Sequence, residues 1–330
     1  MITPNLWEII IYITCIIFVF YVVRLKQKRE LKYPQKKILK ILKNKKYQKR
    51  LVTISAIILL VIVLFQNIPQ DLKIYFVDVG QGDCCFITTK QHKNILIDSG
   101  GNENYDVGKN ILLPYLLDRR VNSLDYIFIS HFDTDHCNGF IEVMKNIPVK
   151  NMVITKQTYL SGEYKNIMEL AKQKKIHVIV CQTGDEIKID DNTKIEILYS
   201  NSHAEDLNNS SMVCRLVSKN FSMLFTGDIE KQTEAEIVKM YVDTNKLKSN
   251  ILKVAHHGSK TSSTQTFLDL VKPKIALIGV GENNTFGHPN EEVLERLKNI
   301  GARIYRTDEM GEIVLNINSK GKVAITKTLD

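Results

Sequence analysis

Paired cysteines are missing from this chain. Its six cysteines (Cys15, Cys84, Cys85, Cys137, Cys181 and Cys214) form no CxxC or other zinc-type pairing. Five lie beyond residue 70, an odd number that excludes a complete disulfide set there. They read as small buried hydrophobes, with Cys137 set apart only because it follows a His/Asp run. Charge is missing as well: residues 51–70 carry none, and the first 23 carry only Glu8. Acids are nearly absent from 24–50, where thirteen Lys/Arg face a lone Glu30 and give +12. Since the whole chain is +9, residues 71–330 are left at −2. The basic character belongs to one short stretch, which excludes reading net charge alone as a nucleic-acid footprint. Beyond that stretch no internal repeat or low-complexity segment stands out.

Two apolar runs bracket the basic stretch. Residues 5–23 (NLWEIIIYITCIIFVFYVV) and 51–69 (LVTISAIILLVIVLFQNIP) each approach the ~20 residues needed to cross a bilayer core. A cleavable signal peptide would explain the first but not the second, and the first has no basic leading segment. Buried globular helices are the competing reading, which two such runs around so basic a loop disfavour. The pattern predicts a two-span transmembrane hairpin over residues 1–70, its loop 24–50 held in the cytoplasm by lysine and arginine. The short N-terminus and residues 71–330 would then lie outside the cytoplasm. Lys26 to Arg50 either meets anionic membrane lipids or forms a solvated, partly helical connection.

From residue 72 the pattern turns strand-rich. Short strands are expected at 73–78, 84–89, 94–98 and 125–130, with a helical stretch near 106–119. Further strands (150–154, 176–180, 194–198, 212–218, 222–227, 251–255, 274–279, 302–307) alternate with helices near 162–174, 230–241, 263–271 and 290–298. Early hairpins followed by alternation imply an α+β domain of two mixed sheets covered by helices.

Chemistry concentrates at strand ends. His131-Phe-Asp133-Thr-Asp135-His136 places four metal-competent side chains within six residues after an apolar strand. Such a turn can splay His131 and Asp133 toward one cation, and Asp135 and His136 toward another. Leu224-Phe-Thr-Gly-Asp228 ends a buried strand in a carboxylate able to bridge two cations. Val254-Ala-His256-His257-Gly258-Ser259 puts two imidazoles at another strand end, and Asn283-Asn-Thr-Phe-Gly287-His288-Pro289 puts a third in a turn. Each of these three alone is also ordinary loop chemistry; together they line one edge of the domain.

These residues resemble the metallo-β-lactamase superfamily, and within it the extracellular domain of the ComEC-type competence proteins. Asp78-Val-Gly-Gln-Gly-Asp83, Ile97-Asp98-Ser-Gly-Gly101, Ser130-His131-Phe-Asp-Thr-Asp-His136, Lys253-Val-Ala-His-His-Gly-Ser259, Phe286-Gly-His-Pro289 and Tyr305-Arg-Thr-Asp308 fall in that family's order. The resemblance spans about residues 72–320. It implies an αββα sandwich and a two-metal hydrolase site. His131 and Asp133 would hold one metal, Asp135 and His136 the other, Asp228 would bridge, and His256 or His257 would complete the second. Two departures harden the site: Asp133 stands where most members carry a second His, and Asn208-Asn-Ser-Ser211 stands where they supply another. An oxygen-rich site favours Mn²⁺, with Zn²⁺ or Mg²⁺ also compatible. His203 is a possible substitute ligand or a solvated loop residue. Asp83 and Asp98 would orient the imidazoles from behind or form plain turns. Asn208 and Ser211 are candidates for the same supporting role. Asp135, His288 and His256 are the candidate catalytic residues.

The expected function is a membrane-anchored phosphodiesterase or nuclease acting on DNA in competence and DNA uptake. In the family a many-span channel accompanies this domain, so a separate channel partner is expected. Cell-envelope or nucleotide diesters are the alternative substrates, and a non-catalytic, metal-stabilised surface scaffold is a second alternative. Substrate and oligomeric state stay open at this level. Protease added to intact cells should digest the domain after residue 70 and spare the 24–50 loop. Protection of that domain until the membrane is opened would refute the orientation.

Overall fold

The structure, a computed structural model, describes residues 71–157, 160–202, 204 and 206–329, together with isolated residues up to 53. The chain divides into Met1–Pro69 and Gln70–Asp330. But for those isolated residues, the spans at 5–23 and 51–69 and the loop 24–50 lie outside the described residues, as does His203. Among the described residues no helix is long and apolar enough to cross a membrane.

Strands β1 (Leu72–Phe76), β2 (Cys84–Thr88), β3 (Asn94–Ser99), β4 (Leu124–Phe128), β5 (Val149–Thr155) and β6 (His177–Cys181) open the domain. Next come β7 (Glu186–Lys188), β8 (Thr193–Tyr199), β9 (Val213–Ser218), β10 (Phe221–Phe225), β11 (Ile251–Lys253), β12 (Ile275–Ile278) and β13 (Arg303–Arg306). The last are β14 (Ile313–Ile317) and β15 (Val323–Lys327). One eight-stranded sheet runs β15-β14-β1-β2-β3-β4-β5-β6, and a seven-stranded sheet runs β13-β12-β11-β10-β9-β8-β7. Both mix parallel and antiparallel pairs.

The alternation of strand side chains decides how the sheets stack. In β1, Leu72, Ile74 and Phe76 point inward and join Ile87, Ile95, Ile97 and Phe128 against Leu216, Met223 and Leu277 of the other sheet. Strand β10 (FSMLF) is buried throughout, because Met223 faces the opposing sheet while Leu224 faces helices. The outer face of the first sheet is covered by α1 (Leu113–Asp118), α2 (Thr134–Cys137), α3 (Gly139–Asn146) and α4 (Gly162–Lys174), through Leu116, Phe140, Val143 and Ile167. The outer face of the second is covered by α5 (Lys231–Tyr241), α6 (Gln265–Val271) and α7 (Glu291–Asn299), through Ile237, Phe267, Leu268, Val293 and Leu297. The result is a four-layer αββα sandwich. Local signals set the helix ends: the Ser161 hydroxyl accepts the Tyr164 N–H before α4, and the Asn290 side chain accepts the Glu292 N–H before α7.

The described cysteines Cys84, Cys85, Cys137, Cys181 and Cys214 are free and buried, and burial raises each thiol's pKa. Strands β14 and β15, and helices α2 and α3, were not anticipated. Strand β14 is held by tertiary context: it takes the open edge of β1, pairing Leu72 with Ile317 and Phe76 with Ile313.

Phe128 is wholly buried between the sheets. Phe128→Ala is expected to cost about 3–5 kcal/mol, read as a lowered denaturant midpoint with an unchanged slope.

Candidate metal centre

Register brings the sequence motifs to one edge of the sandwich. β3 and β4 run parallel with Ile97 beside Phe128, so Asp98 and the chain leaving β4 toward His131 emerge at the same end. β2 runs antiparallel to β3 with Cys84 beside Ser99, which returns Asp83 to that end. In the second sheet β10 and β11 are parallel, with Leu224 beside Leu252, so Asp228 and the His256-His257 pair leave together. Asp133 caps α2, its Oδ1 accepting the Thr134 N–H at 2.7 Å, and this short helix turns Asp135 and His136 inward. Gly82 and Gly101 let the neighbouring loops close on α2: a Cβ at Gly82 would collide with Asp135 O, and one at Gly101 with Thr134 O.

Three buried imidazoles share one arrangement. Nδ1 of His136 lies 3.0 Å from Asp98 Oδ2, Nδ1 of His257 is 2.6 Å from Gly279 O, and Nδ1 of His131 is 3.0 Å from Ser130 Oγ. Each ring is tied from behind, and each Nε2 is buried without a hydrogen-bond partner. Carboxylates meet two of these Nε2 atoms. His136 Nε2 is 3.2 Å from Asp228 Oδ1 and 4.0 Å from Asp135 Oδ1. His257 Nε2 is 3.2 Å from Asp135 Oδ2 and 3.4 Å from Asp228 Oδ2. Donors bound to one cation at about 2.0–2.2 Å stand roughly 3 Å apart. His136, Asp228 and His257 therefore crowd one point with Asp135 beside them, as candidate ligands of a cation.

Asp83 belongs to the same cluster, with a carboxylate oxygen within 4.8 Å of donor atoms of His136, Asp228 and His257. Its approach to the rings is from the other side: Oδ2 is 3.6 Å from His136 Nδ1, and Oδ1 is 3.7 Å from His257 Nδ1. Asp83 braces the imidazoles, while Asp135 shares their Nε2 side. Asp98 likewise supports His136, and its Oδ1 also accepts the Ser130 N–H at 2.8 Å.

Sequence reading missed Lys253. Its side chain is buried, and Nζ pairs with Asp83, lies 3.3 Å from Asp228 Oδ1 and donates to Gly227 O at 2.8 Å. Lysines are almost never fully buried unless paired, and the Lys-Val-Ala-His-His stretch gives no sign of which acids would pair it. Ser130, whose hydroxyl serves His131, was missed as well.

The other anticipated residues are distributed around this core. Ser211 Oγ accepts the Asp228 N–H at 3.0 Å. Asn208, Asp133, Asp135, Asp228 and His256 line a cleft of about 450 Å³ over the cluster. His256 is partly exposed, with Nε2 3.9 Å from Asp228 Oδ2 and Nδ1 3.4 Å from Glu230 Oε1, so His257 sits deeper among the carboxylates. Both histidines hold left-handed backbones, φ 49° and 52°, a strain that turns adjacent rings to different partners. His288 stands beside them, its ring 5.5 Å from His256 and 6.5 Å from His257, with Nδ1 unpaired.

Charge in this pocket is strongly coupled. Burial and the neighbouring His136 push His131 down to about 3. Burial opposes charge on His257, yet Asp228 and Asp83 raise it to about 10, and His136 is raised against its burial by Asp228 and Asp135. Burial would also raise Asp135 and Asp228, but the facing imidazoles hold both low. A carboxylate field that retains protons on imidazoles equally favours a divalent cation, whose binding displaces those protons. With buried Nε2 atoms facing two ionised carboxylates, the donor set fits a divalent metal.

The chain belongs to the metallo-β-lactamase superfamily, whose family model matches residues 77–282. Within it the sequence is similar to competence proteins. It is 29% identical over 276 residues to ComE operon protein 3 of Bacillus subtilis (strain 168), covering 79% of this chain and 35% of that protein. It is 29% identical over 244 residues to competence protein ComA of Neisseria gonorrhoeae, covering 74% and 32%. The chain thus spans about a third of the length of these relatives. CmlA, a diiron β-hydroxylase from Streptomyces venezuelae, shares the fold at TM-score 0.51 and 12% identity, over 75% of this chain and 54% of its own.

Lys253→Met would leave Asp83 and Asp228 buried without their shared cation. Unfolding of the metal-free protein in denaturant should show a loss of about 3–5 kcal/mol. An unchanged midpoint would mean that the ammonium does not balance these carboxylates.

Proposed function

We propose that this chain is a metal-dependent phosphodiesterase that cuts DNA in a competence setting, anchored in the membrane with its hydrolase domain outside the cytoplasm. A membrane channel would be its partner. The carrying observation is the convergence of the buried His136 and His257 Nε2 atoms on Asp135 and Asp228, two carboxylates that line an open cleft. The competence relatives support the setting, and the apolar runs around the +12 stretch support the anchor.

Asp135, His136, Asp228 and His257 would hold one cation; His131 and Asp133, with Asp228 shared, would hold the other. When bound, such cations polarise a phosphoryl oxygen and lower the pKa of water. The protein's own groups do the rest. Asp98 and the Gly279 carbonyl hold His136 and His257 in the tautomer that leaves Nε2 for a metal. Ser211 fixes Asp228 through its backbone N–H. Asn208 lines the cleft where other superfamily members place a further imidazole.

His288 is suited to contact the scissile phosphate. Burial, with His256 and His257 beside it, lowers it to about 4, so at neutral pH it is an uncharged imidazole that donates through one ring N–H. This favours hydrogen bonding to the phosphate over delivery of a proton to the leaving oxygen.

The test uses purified protein loaded with Mn²⁺ or Zn²⁺ and offered DNA, nucleotide diesters and teichoic-acid-like diesters. Two metals per chain are expected, with Mn²⁺ the better activator and DNA the better substrate. One tightly held zinc without a manganese response would refute the metal assignment, and hydrolysis of none of the diesters would leave a metal-stabilised scaffold. His288→Ala should keep both metals and lose turnover on the order of 10²-fold or more.

A further inference from the structure

The cleft over the metal centre is poor in groups that bind an anionic chain. Among the described residues lining it are Glu103, Asp133, Asp135 and Asp228, and no lysine or arginine. Beyond the cations, affinity for a nucleic acid must therefore come from something other than charge. Among the described residues lining it, the one Phe, Tyr or Trp is Phe286, which is 67% exposed.

Phe286 is held in place. Its N–H donates to Asn284 Oδ1 at 3.2 Å, and the His288 N–H donates to the same oxygen at 3.1 Å. Asn284 Nδ2 in turn donates to His288 O at 2.6 Å and Gly281 O at 3.1 Å. One amide thus pins both ends of the Phe286–His288 turn. The phenyl ring stacks on His288 at 5.8 Å and 24°, and that imidazole is one ring from His257. A large apolar ring is thereby presented to solvent at the cleft mouth, in a fixed orientation, beside the residue placed at the phosphate.

On the phosphodiesterase reading above, we propose that Phe286 is a stacking platform for an unpaired nucleobase next to the scissile phosphate. Every base has a π-face, so such a platform binds without reading sequence. Bases inside a duplex are already stacked on their neighbours, so the ligand it accepts is a single strand or a free nucleotide. Phe286 is then a specificity residue, selecting diesters that carry a base.

The test is binding measured by fluorescence anisotropy in Ca²⁺, with a labelled oligo(dT) and an abasic oligonucleotide of equal length and charge. The wild type should prefer oligo(dT) by roughly tenfold or more. Phe286→Ala should abolish that preference while leaving affinity for the abasic strand unchanged, and Phe286→Trp should retain the preference. Competition by thymidine 5′-monophosphate distinguishes the two ligand sources: equal competition per base supports a nucleotide ligand, and weaker competition supports a strand. No base preference in the wild type, or an undiminished preference in Phe286→Ala, overturns the proposal. A Phe286-dependent base preference in a protein that hydrolyses no diester would refute the phosphodiesterase reading while keeping the platform.

Discussion

Asp228 carries the site. One carboxylate oxygen meets His136 Nε2 and the Lys253 ammonium, and the other meets His257 Nε2 and approaches His256. Such a group is costly to bury unless every neighbour compensates it. The fold supplies the compensation from both sheets: Lys253 ends β11, His136 follows β4, and Ser211 precedes β9. Asp83, delivered by β2, shares the same ammonium and braces His136 and His257 from behind. The edge of the sandwich is held in register by this charge network as well as by the apolar core beneath it.

That arrangement explains why the donor set tolerates its departures from the wider superfamily. With Asp133 in place of an imidazole and Asn208 to Ser211 in place of another, the pocket is rich in carboxylates. Five aspartates (Asp83, Asp98, Asp133, Asp135, Asp228) crowd around three buried imidazoles and one ammonium. A pocket so rich in carboxylates suits a divalent cation. It is poorly matched to a bare polyanion, and the exposed Phe286 on its rim offers an uncharged way to hold one.

Much of this was legible because the chemistry is local in the chain. Four donors of one motif fall between His131 and His136, and TGD and HHGS each end a strand whose apolar run announces it. The sandwich core was legible from strand alternation, as in Leu72, Ile74 and Phe76. Helices α2 and α3 were not, because the first is four residues long and the second follows directly, so neither shows a full helical period on its own. Strand β14 is placed by the open edge of β1, a partner some 240 residues away in the chain.

The amino-acid sequence by itself determined which side chains are available, the order of the strands that present them, and the family to which the chain belongs. Only the tertiary structure decided which of two adjacent histidines lies among the carboxylates. Consecutive left-handed backbones at His256 and His257 send neighbouring rings to different surroundings, and no sequence pattern encodes that choice. It also decided the role of Lys253, over which two aspartates from different sheets close. The reason is the same in both cases: pairing of buried charge depends on where backbones meet in space, and those meetings join residues far apart along the chain.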